Sequence, residues 1–279
     1  SIDADHQFEE DALRKAAAWF LDDEDIWCIK GRCYGRNPED SLIALHATVE
    51  RHMVEKADIF VRQLLNGFTF FGGGQAFFRT EVFDELGAFD EEILVEDIDM
   101  SSKLHEAGKK IQIDPTIITY EENPATLDAW WNQRKRWARG WMQVANRYLF
   151  SFPKMNKPSW SQRADAVYTL SYAVVPALLV IALPIGALTW FTPTEVQTYI
   201  PYPDWILWAI PFFAPGVVSY LVFLQDWRDG LSHHPYEFIA AWTLGPYLIF
   251  QTSVFVTAFL EEYILERESV YVTTSRSGE

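Results

Sequence analysis

The sequence has 279 residues, of which 49% are hydrophobic, and a formal net charge of -16. This length allows one large domain or two smaller ones, and the apolar content is ample for a core. The first 128 residues hold 28 acidic and 12 basic side chains, so we do not expect nucleic acid as a partner. Many carboxylates and few lysines favour a halophilic source, with an ordinary acidic protein as the alternative.

The first part of the chain alternates between predicted helices and strands. Residues 1–5 fit a strand end that runs into a loop, and 9–21 fit a helix with Leu13, Ala17 and Phe20 on one face. Further along the chain we predict strands at 26–34, 76–78 and 111–120, and helices at 40–65, 80–87 and 97–107. This alternation indicates an α/β sheet domain.

A long helix is predicted at 125–150, where four tryptophans lie among basic residues. Residues 129–163 hold eight bases and no acid. A helix that mixes Trp with cations suits a membrane surface, whereas a soluble basic helix is the alternative.

Three apolar blocks follow at 164–191, 205–224 and 238–260. Each is near the roughly 20 residues that span hydrocarbon, and prolines inside them are tolerated better in membrane helices than in soluble ones. The preceding basic stretch predicts that residues 1–163 are cytoplasmic and that the loop 192–204 is outside. We therefore expect a multi-pass protein of the plasma membrane, with a buried helical core as the alternative.

Two further features concern the compartment and the start of the chain. Cys28 and Cys33 have a spacing that puts them on opposite faces of a strand, so we expect no disulfide and a reducing compartment. The chain begins at Ser1 without a methionine, and we expect a fragment.

Two acidic pairs can carry chemistry. Asp3 and Asp5 form an Asp-x-Asp at a predicted strand end, which suits Mg²⁺ or Mn²⁺ bound together with a diphosphate. Turn capping is the alternative. Glu96 and Asp97 open a predicted helix, whose N-terminus favours an ionised carboxylate that can accept a proton from a hydroxyl group. A purely structural helix-start pair is the alternative.

The most specific string is Gln-Arg-Lys-Arg-Trp at 133–137. On a helix, Gln133, Arg136 and Trp137 share one side. Arginine can grip a diphosphate with a fixed fork of donors, and tryptophan offers a flat surface for a sugar ring. A basic and aromatic belt at the membrane surface is the alternative interpretation.

The order of these motifs resembles the family-two inverting glycosyltransferases, especially the processive membrane type that includes cellulose, chitin, hyaluronan and poly-N-acetylglucosamine synthases. The resemblance covers residues 1 to about 150. It is carried by Asp-Ala-Asp, Gly-Gly-Gly-Gln, Gly-Ala-Phe-Asp-Glu, Val-Glu-Asp-Ile-Asp-Met-Ser and Gln-Arg-Lys-Arg-Trp-Ala-Arg-Gly. In such proteins a preceding segment, which this chain lacks, holds the nucleotide base, so the resemblance implies an N-terminally truncated chain with a partial GT-A fold.

The resemblance also implies residue roles. Asp3 and Asp5 would hold the metal, and Asp97 would be the catalytic base. Donor diphosphate and acceptor would meet Gln133, Arg136, Trp137, Glu96, Gly73 and Gly74. The segment 271–276 weakly resembles a Trp-x-x-Thr-x-Arg tail.

From the residues and the resemblance together we expect a partial GT-A domain at 1–124 and an interfacial helix region at 125–163. These regions are followed by about three transmembrane helices at 164–262 and a tail at 263–279. The expected function is sugar transfer from a nucleotide-diphosphate donor to a saccharide or lipid-linked acceptor, with the lipid bilayer as a further partner. An inactive membrane-anchored remnant is the alternative.

Overall fold

The structure is a computed structural model that describes residues 1–182 and 204–268. The first part of the chain is a mixed sheet flanked by helices, and the last part consists of apolar helices. The strands are β1 (Gln7–Phe8), β2 (Ile26–Gly35), β3 (Ala76–Phe78) and β4 (Lys110–Glu121). The helices beside the sheet are α1 (Ala12–Asp22), α2 (Leu42–Met53), α3 (Phe60–Leu64), α4 (Glu81–Leu86) and α5 (Glu96–Glu106). The later helices are α6 (Leu127–Tyr148), α7 (Trp160–Ser171), α8 (Asp204–Arg228), α9 (Pro235–Trp242) and α10 (Leu244–Phe259).

The sheet has the strand order β1-β4-β2-β3. The two long strands β2 and β4 run parallel at its centre, and the short strands β1 and β3 pair antiparallel at its edges. Nine of the ten residues of β2 are buried, since α1 packs against it from one side and α2 also contacts it. The α/β domain predicted from the sequence is therefore confirmed.

Helix α1 lies on the sheet through a different face from the predicted one. Its buried residues are Ala12 and Ala16, which pack in one cluster with Ile29 of β2. Leu13 is 71% exposed, so the predicted face with Leu13 and Ala17 was wrong. Small side chains allow the helix backbone to lie close to the sheet, and periodicity alone favoured the larger leucine.

Cys28 and Cys33 are both free and buried. The predicted helix at 40–65 is also present, as α2 and α3 joined by a π-helical turn, Val54–Ile59.

Among the described residues, three helices are long and apolar enough to cross a membrane, by length and composition: Trp160–Ala182, Ala209–Arg228 and Leu244–Ile264. The third predicted block, 238–260, is not one helix, because the helix is interrupted at Thr243, between α9 and α10. Pro246 explains the break, since proline has no N–H to donate to the carbonyl of Trp242. The predicted outside loop at 192–204 lies almost wholly outside the described residues, and the tail motif at 271–276 lies entirely outside them.

Candidate active site

The Asp-x-Asp segment lies against the glycine loop, which consists of residues 72–74. Ile2 forms a bridge with Gln75, and the backbone N–H of Asp3 donates to the carbonyl of Gly74 at 3.0 Å. A Cβ atom on Gly74 would overlap both the side chain and the backbone nitrogen of Asp3. Only glycine therefore fits at position 74, and Asp3 is fixed beside this loop.

Asp3 and Asp5 form a group that could hold a cation. One ligand atom of each lies within 4.8 Å of the other and of a nitrogen of His6. His6 contacts Asp5 at 3.3 Å and Glu121 at 3.1 Å. Burial alone lowers the pKa of His6, but hydrogen bonds with Asp5, Cys33 and Glu121 outweigh it and raise the pKa to about 11. The imidazole is therefore protonated and orients Asp5. Sequence reasoning missed it, although its position directly after the motif was a signal.

Asp97 lies at the start of α5 and is held by two backbone N–H groups. Gly73 donates to Oδ2 at 2.5 Å, and Ile98 donates to Oδ1 at 2.8 Å. Burial raises the pKa of Asp97 to about 6, the charge of Glu96 adds to this rise, and the two N–H groups and Arg136 oppose it. A carboxylate with such a pKa is ionised near neutrality yet basic enough to take a proton.

Gly73 has a backbone φ of +74°, in the left-handed region that glycine adopts without strain. This conformation turns its N–H toward Asp97. The glycine loop thus touches Asp3 on one side and Asp97 on the other. It brings together the two acidic sites that are far apart in sequence.

Helix α6 holds the loop in front of Asp97 in place. The guanidinium of Arg136 donates to the carbonyl of Leu94 at 3.2 Å, and Gln143 accepts from the N–H of Leu94 at 3.1 Å. A Cβ on Gly140 would lie 2.6 Å from a methyl of Val95, so glycine permits the close approach. Sequence reasoning missed Gly140 and Gln143; the signal for Gly140 was a glycine inside an otherwise regular helix.

Gln133 and Trp137 lie on the same helix as Arg136. Gln133 is buried, and Trp137 is half-buried against the core of the sheet domain. The guanidinium carbon of Arg134 lies 4.5 Å from the centroid of the Trp137 ring, and that of Arg51 lies 5.8 Å away. The indole is therefore part of a cationic and aromatic surface.

The four tryptophans of α6 do not share one environment. Trp130 is fully buried, and its Nε1 donates to the Tyr247 hydroxyl at 2.7 Å in a cluster with the apolar helices. Trp137 and Trp141 pack against the sheet domain instead. Trp130 and Trp137 are seven residues apart, which separates them by about 10 Å along the helix axis. A uniform membrane belt is therefore wrong for Trp130.

A cavity of about 210 Å³ opens beside the carbonyl of Leu94. It is lined by four cations, Lys135, Arg136, Arg139 and Arg267, together with Leu94, Asn132, Glu261 and Glu268. Three of its cations are in ion pairs: Lys135 with Glu261 at 3.1 Å, Arg139 with Glu262 at 2.7 Å and Arg267 with Glu261 at 2.9 Å. A larger open groove of about 650 Å³ runs beside Arg147 and Lys154, toward the other end of α6. The smaller cavity is the one that adjoins the candidate site.

Fold and site together have the character of a GT-A-like glycosyltransferase domain joined to apolar helices. The family described as "Glycosyl transferase family group 2" matches residues 1–224, and the chain belongs to this family. The fold is also similar to that of a mannosyltransferase from Pyrobaculum calidifontis, solved in complex with GDP-Man and Mn²⁺. That match has a TM-score of 0.50 and 14% sequence identity, and it covers 95% of this chain and 62% of that one.

Two curated relatives agree with the family. The chain is 35% identical over 79 residues to a probable glycosyltransferase of Bacillus subtilis, across 28% of this chain and 19% of that protein. It is 28% identical over 156 residues to a poly-beta-1,6-N-acetyl-D-glucosamine synthase of Staphylococcus aureus, across 56% of this chain and 38% of the synthase. The chain therefore matches well under half the length of these curated relatives.

Proposed function

We propose that this chain is the membrane-anchored part of an inverting glycosyltransferase that acts in polysaccharide or glycoconjugate synthesis. Its donor is a nucleotide-diphosphate sugar, and its acceptor is the hydroxyl group of a saccharide or of a lipid-linked saccharide. One observation carries this proposal: the glycine loop touches the candidate metal ligand Asp3 and donates a hydrogen bond to the candidate base Asp97.

Asp97 acts as the base. Its carboxylate takes the proton from the acceptor hydroxyl while that oxygen forms a bond to the anomeric carbon of the donor sugar. The bond between this carbon and the diphosphate oxygen breaks in the same step, and its electron pair leaves with the diphosphate. A single displacement of this kind inverts the anomeric configuration.

The residues at the metal site fit a hard divalent cation. Mg²⁺ is usually bound by one or two carboxylates together with substrate phosphates, and Asp3 and Asp5 supply two carboxylates within 4.8 Å. Mg²⁺ or Mn²⁺ held there would stabilise the charge of the departing diphosphate. The presence of Mn²⁺ in the Pyrobaculum calidifontis mannosyltransferase supports this assignment.

Helix α6 supplies the remaining contacts in this proposal. Arg136 lines the cationic cavity together with Leu94, and in this proposal it binds the diphosphate. Glu96 raises the pKa of its neighbour Asp97, and Gly73 and Gly74 shape the surface next to it. Gln133 and Trp137 form the acceptor side, with the indole as a surface for the sugar ring.

The proposed organisation follows the same order along the chain. Residues 1–124 form part of the catalytic domain, and 125–163 form an interfacial region around α6. Transmembrane helices follow within 164–262, and 263–279 form a tail. The apolar helices and the basic stretch before them support a multi-pass membrane protein whose catalytic domain is cytoplasmic.

The proposal is tested by measuring sugar transfer in membranes that contain the full-length protein with this chain. A panel of radiolabelled nucleotide sugars should include GDP-mannose and a nucleotide-linked N-acetylglucosamine, each with Mn²⁺ or Mg²⁺. We expect one donor to label a saccharide or lipid product with inverted anomeric configuration. Product with retained configuration would contradict the single displacement. Absence of transfer from every donor would favour an inactive remnant.

A further inference from the structure

Four ionisable side chains meet where the sheet domain joins the apolar helices. They are His52 of α2, Asp226 near the end of α8, His233 in the following turn and Glu237 of α9. Each of these side chains is at most 5% exposed. Ligand atoms of His52, Asp226 and His233 all lie within 4.8 Å of one another. None of these residues belongs to the glycosyltransferase site described above.

The distances within this cluster are those of direct ion pairs, and they also fit ligands around one small ion. Oε2 of Glu237 lies 3.2 Å from Nε2 of His52 and 3.0 Å from Nδ1 of His233. Two ligands of a tetrahedral zinc ion, each about 2.0–2.1 Å from the metal, lie about 3.3 Å apart. The other oxygen of Glu237 accepts from the backbone N–H of His234 at 3.1 Å, which orients the carboxylate.

Asp226 has a different position from the other three residues. Its two oxygens accept from the guanidinium of Arg32 at 2.6 Å each, and Lys56 donates to one of them at 2.7 Å. Its charge is therefore compensated by cations. It also faces Nε2 of His233 at 2.9 Å. Histidines that bind a metal through one nitrogen usually donate the other N–H to a carboxylate, so Asp226 fits as the outer partner of His233.

The surroundings of His52 are buried and aromatic. Within the described residues, its Nδ1 is buried and has no hydrogen-bond partner. Its ring contacts Tyr34 at a centroid distance of 4.7 Å, and the ring of His233 contacts Phe223 at 4.3 Å. Aromatic walls of this kind exclude water from a metal site. The nitrogen that faces Glu237 is Nε2, so Nδ1 takes no part in the site.

We propose that His52, His233 and Glu237 form a zinc site that fastens helix α2 of the sheet domain to the turn between α8 and α9. Two imidazoles and one carboxylate are a ligand set that suits Zn²⁺. The site differs in ligand type from the pair Asp3 and Asp5, whose oxygens suit a harder ion. A fourth ligand from outside the protein would complete the tetrahedron, and the site does not depend on the proposed sugar transfer.

The test measures metal content in the purified full chain in detergent, by elemental analysis after dialysis. We expect about one zinc per chain in the wild type. Glu237→Gln and His233→Asn should lose the zinc, whereas Asp5→Asn should keep it. His46→Asn is the matched control, since His46 lies on the same helix but contacts Leu42 and Thr243.

A second measurement uses the wild type alone, so its result does not depend on whether the variants fold. Zinc is removed from the wild type with a chelator and replaced by Co²⁺, whose visible absorption reports a tetrahedral site with nitrogen ligands. Adding Zn²⁺ to the stripped protein should also raise its melting temperature. A folded wild type that holds no zinc and gives no such Co²⁺ spectrum would show that the cluster is an ion-pair network alone. Equal zinc in Glu237→Gln and wild type would also overturn the assignment.

Discussion

The backbone N–H of Gly73 donates to Oδ2 of Asp97 at 2.5 Å, between two residues that are 24 positions apart in the chain. The next residue, Gly74, lies directly against Asp3. The loop therefore sets the position of the candidate base relative to the candidate metal ligand. Substitutions in this loop and at the acidic residues on either side of it therefore test the role of the base and the role of the metal ligands separately.

Gly74→Ala should abolish sugar transfer. Its Cβ would overlap the side chain and backbone of Asp3, so the segment that carries the metal site must shift. The matched control is Gly72→Ala, where an added Cβ meets nothing within 4 Å. Initial rates and Mn²⁺ affinity are measured for both. Equal rates in the two variants would show that the contact between Gly74 and Asp3 has no role in transfer.

Asp97→Asn should lower turnover by about 10²-fold or more, because an amide cannot accept the proton of the acceptor hydroxyl. Donor binding should remain, since Asp3, Asp5 and Arg136 are unchanged. Equilibrium binding of the nucleotide sugar is measured beside the rate. A variant that loses donor binding but keeps its rate of transfer would make Asp97 a structural residue.

The dependence of the rate on pH should follow the pKa of Asp97. This pKa is raised to about 6, and the base must be ionised, so kcat/KM should rise as the pH increases through about 6 and then level off. Glu96 contributes to the raised pKa, so Glu96→Gln should move the rising limb to lower pH. The test is to measure initial rates at a limiting concentration of acceptor across the acidic pH range. An unmoved limb in Glu96→Gln would assign the titration to another group.

Asp5→Asn should remove metal-dependent transfer, because one of the two ligating carboxylates is lost. His6 contacts Asp5 at 3.3 Å and orients its carboxylate. His6→Asn should therefore weaken Mn²⁺ binding by about 10–100-fold, although both carboxylate ligands remain. Mn²⁺ binding is followed by electron paramagnetic resonance without turnover. Wild-type affinity in Asp5→Asn would contradict the assignment of this site.

Trp137→Ala should weaken acceptor use and leave membrane attachment intact, since the apolar helices dominate anchoring. Trp130→Ala should instead lower the free energy of unfolding by about 3–5 kcal/mol, because Trp130 is fully buried beneath Tyr247. The acceptor KM, the membrane fraction and thermal stability are measured for both. Similar mild losses in the two variants would contradict the proposed acceptor role of Trp137.

The sequence alone predicted the α/β domain and the apolar helices, because both depend on the periodicity and length of apolar segments. It also located Asp97 at a helix start, since a regular helical pattern follows it directly. The predicted halophilic source stays a prediction, because surface composition has no unique structural consequence.

Tertiary structure decided the features that depend on contacts between distant segments. No local sequence pattern predicts that Gly74 lies against Asp3, that Gly140 leaves room for Val95, or that α1 packs through its alanines. The same limit applies to the cluster of His52, His233 and Glu237, whose members come from three segments joined only by the fold. Periodicity specifies which residues are apolar along one element, whereas the close approach of two elements depends on the shapes of both surfaces.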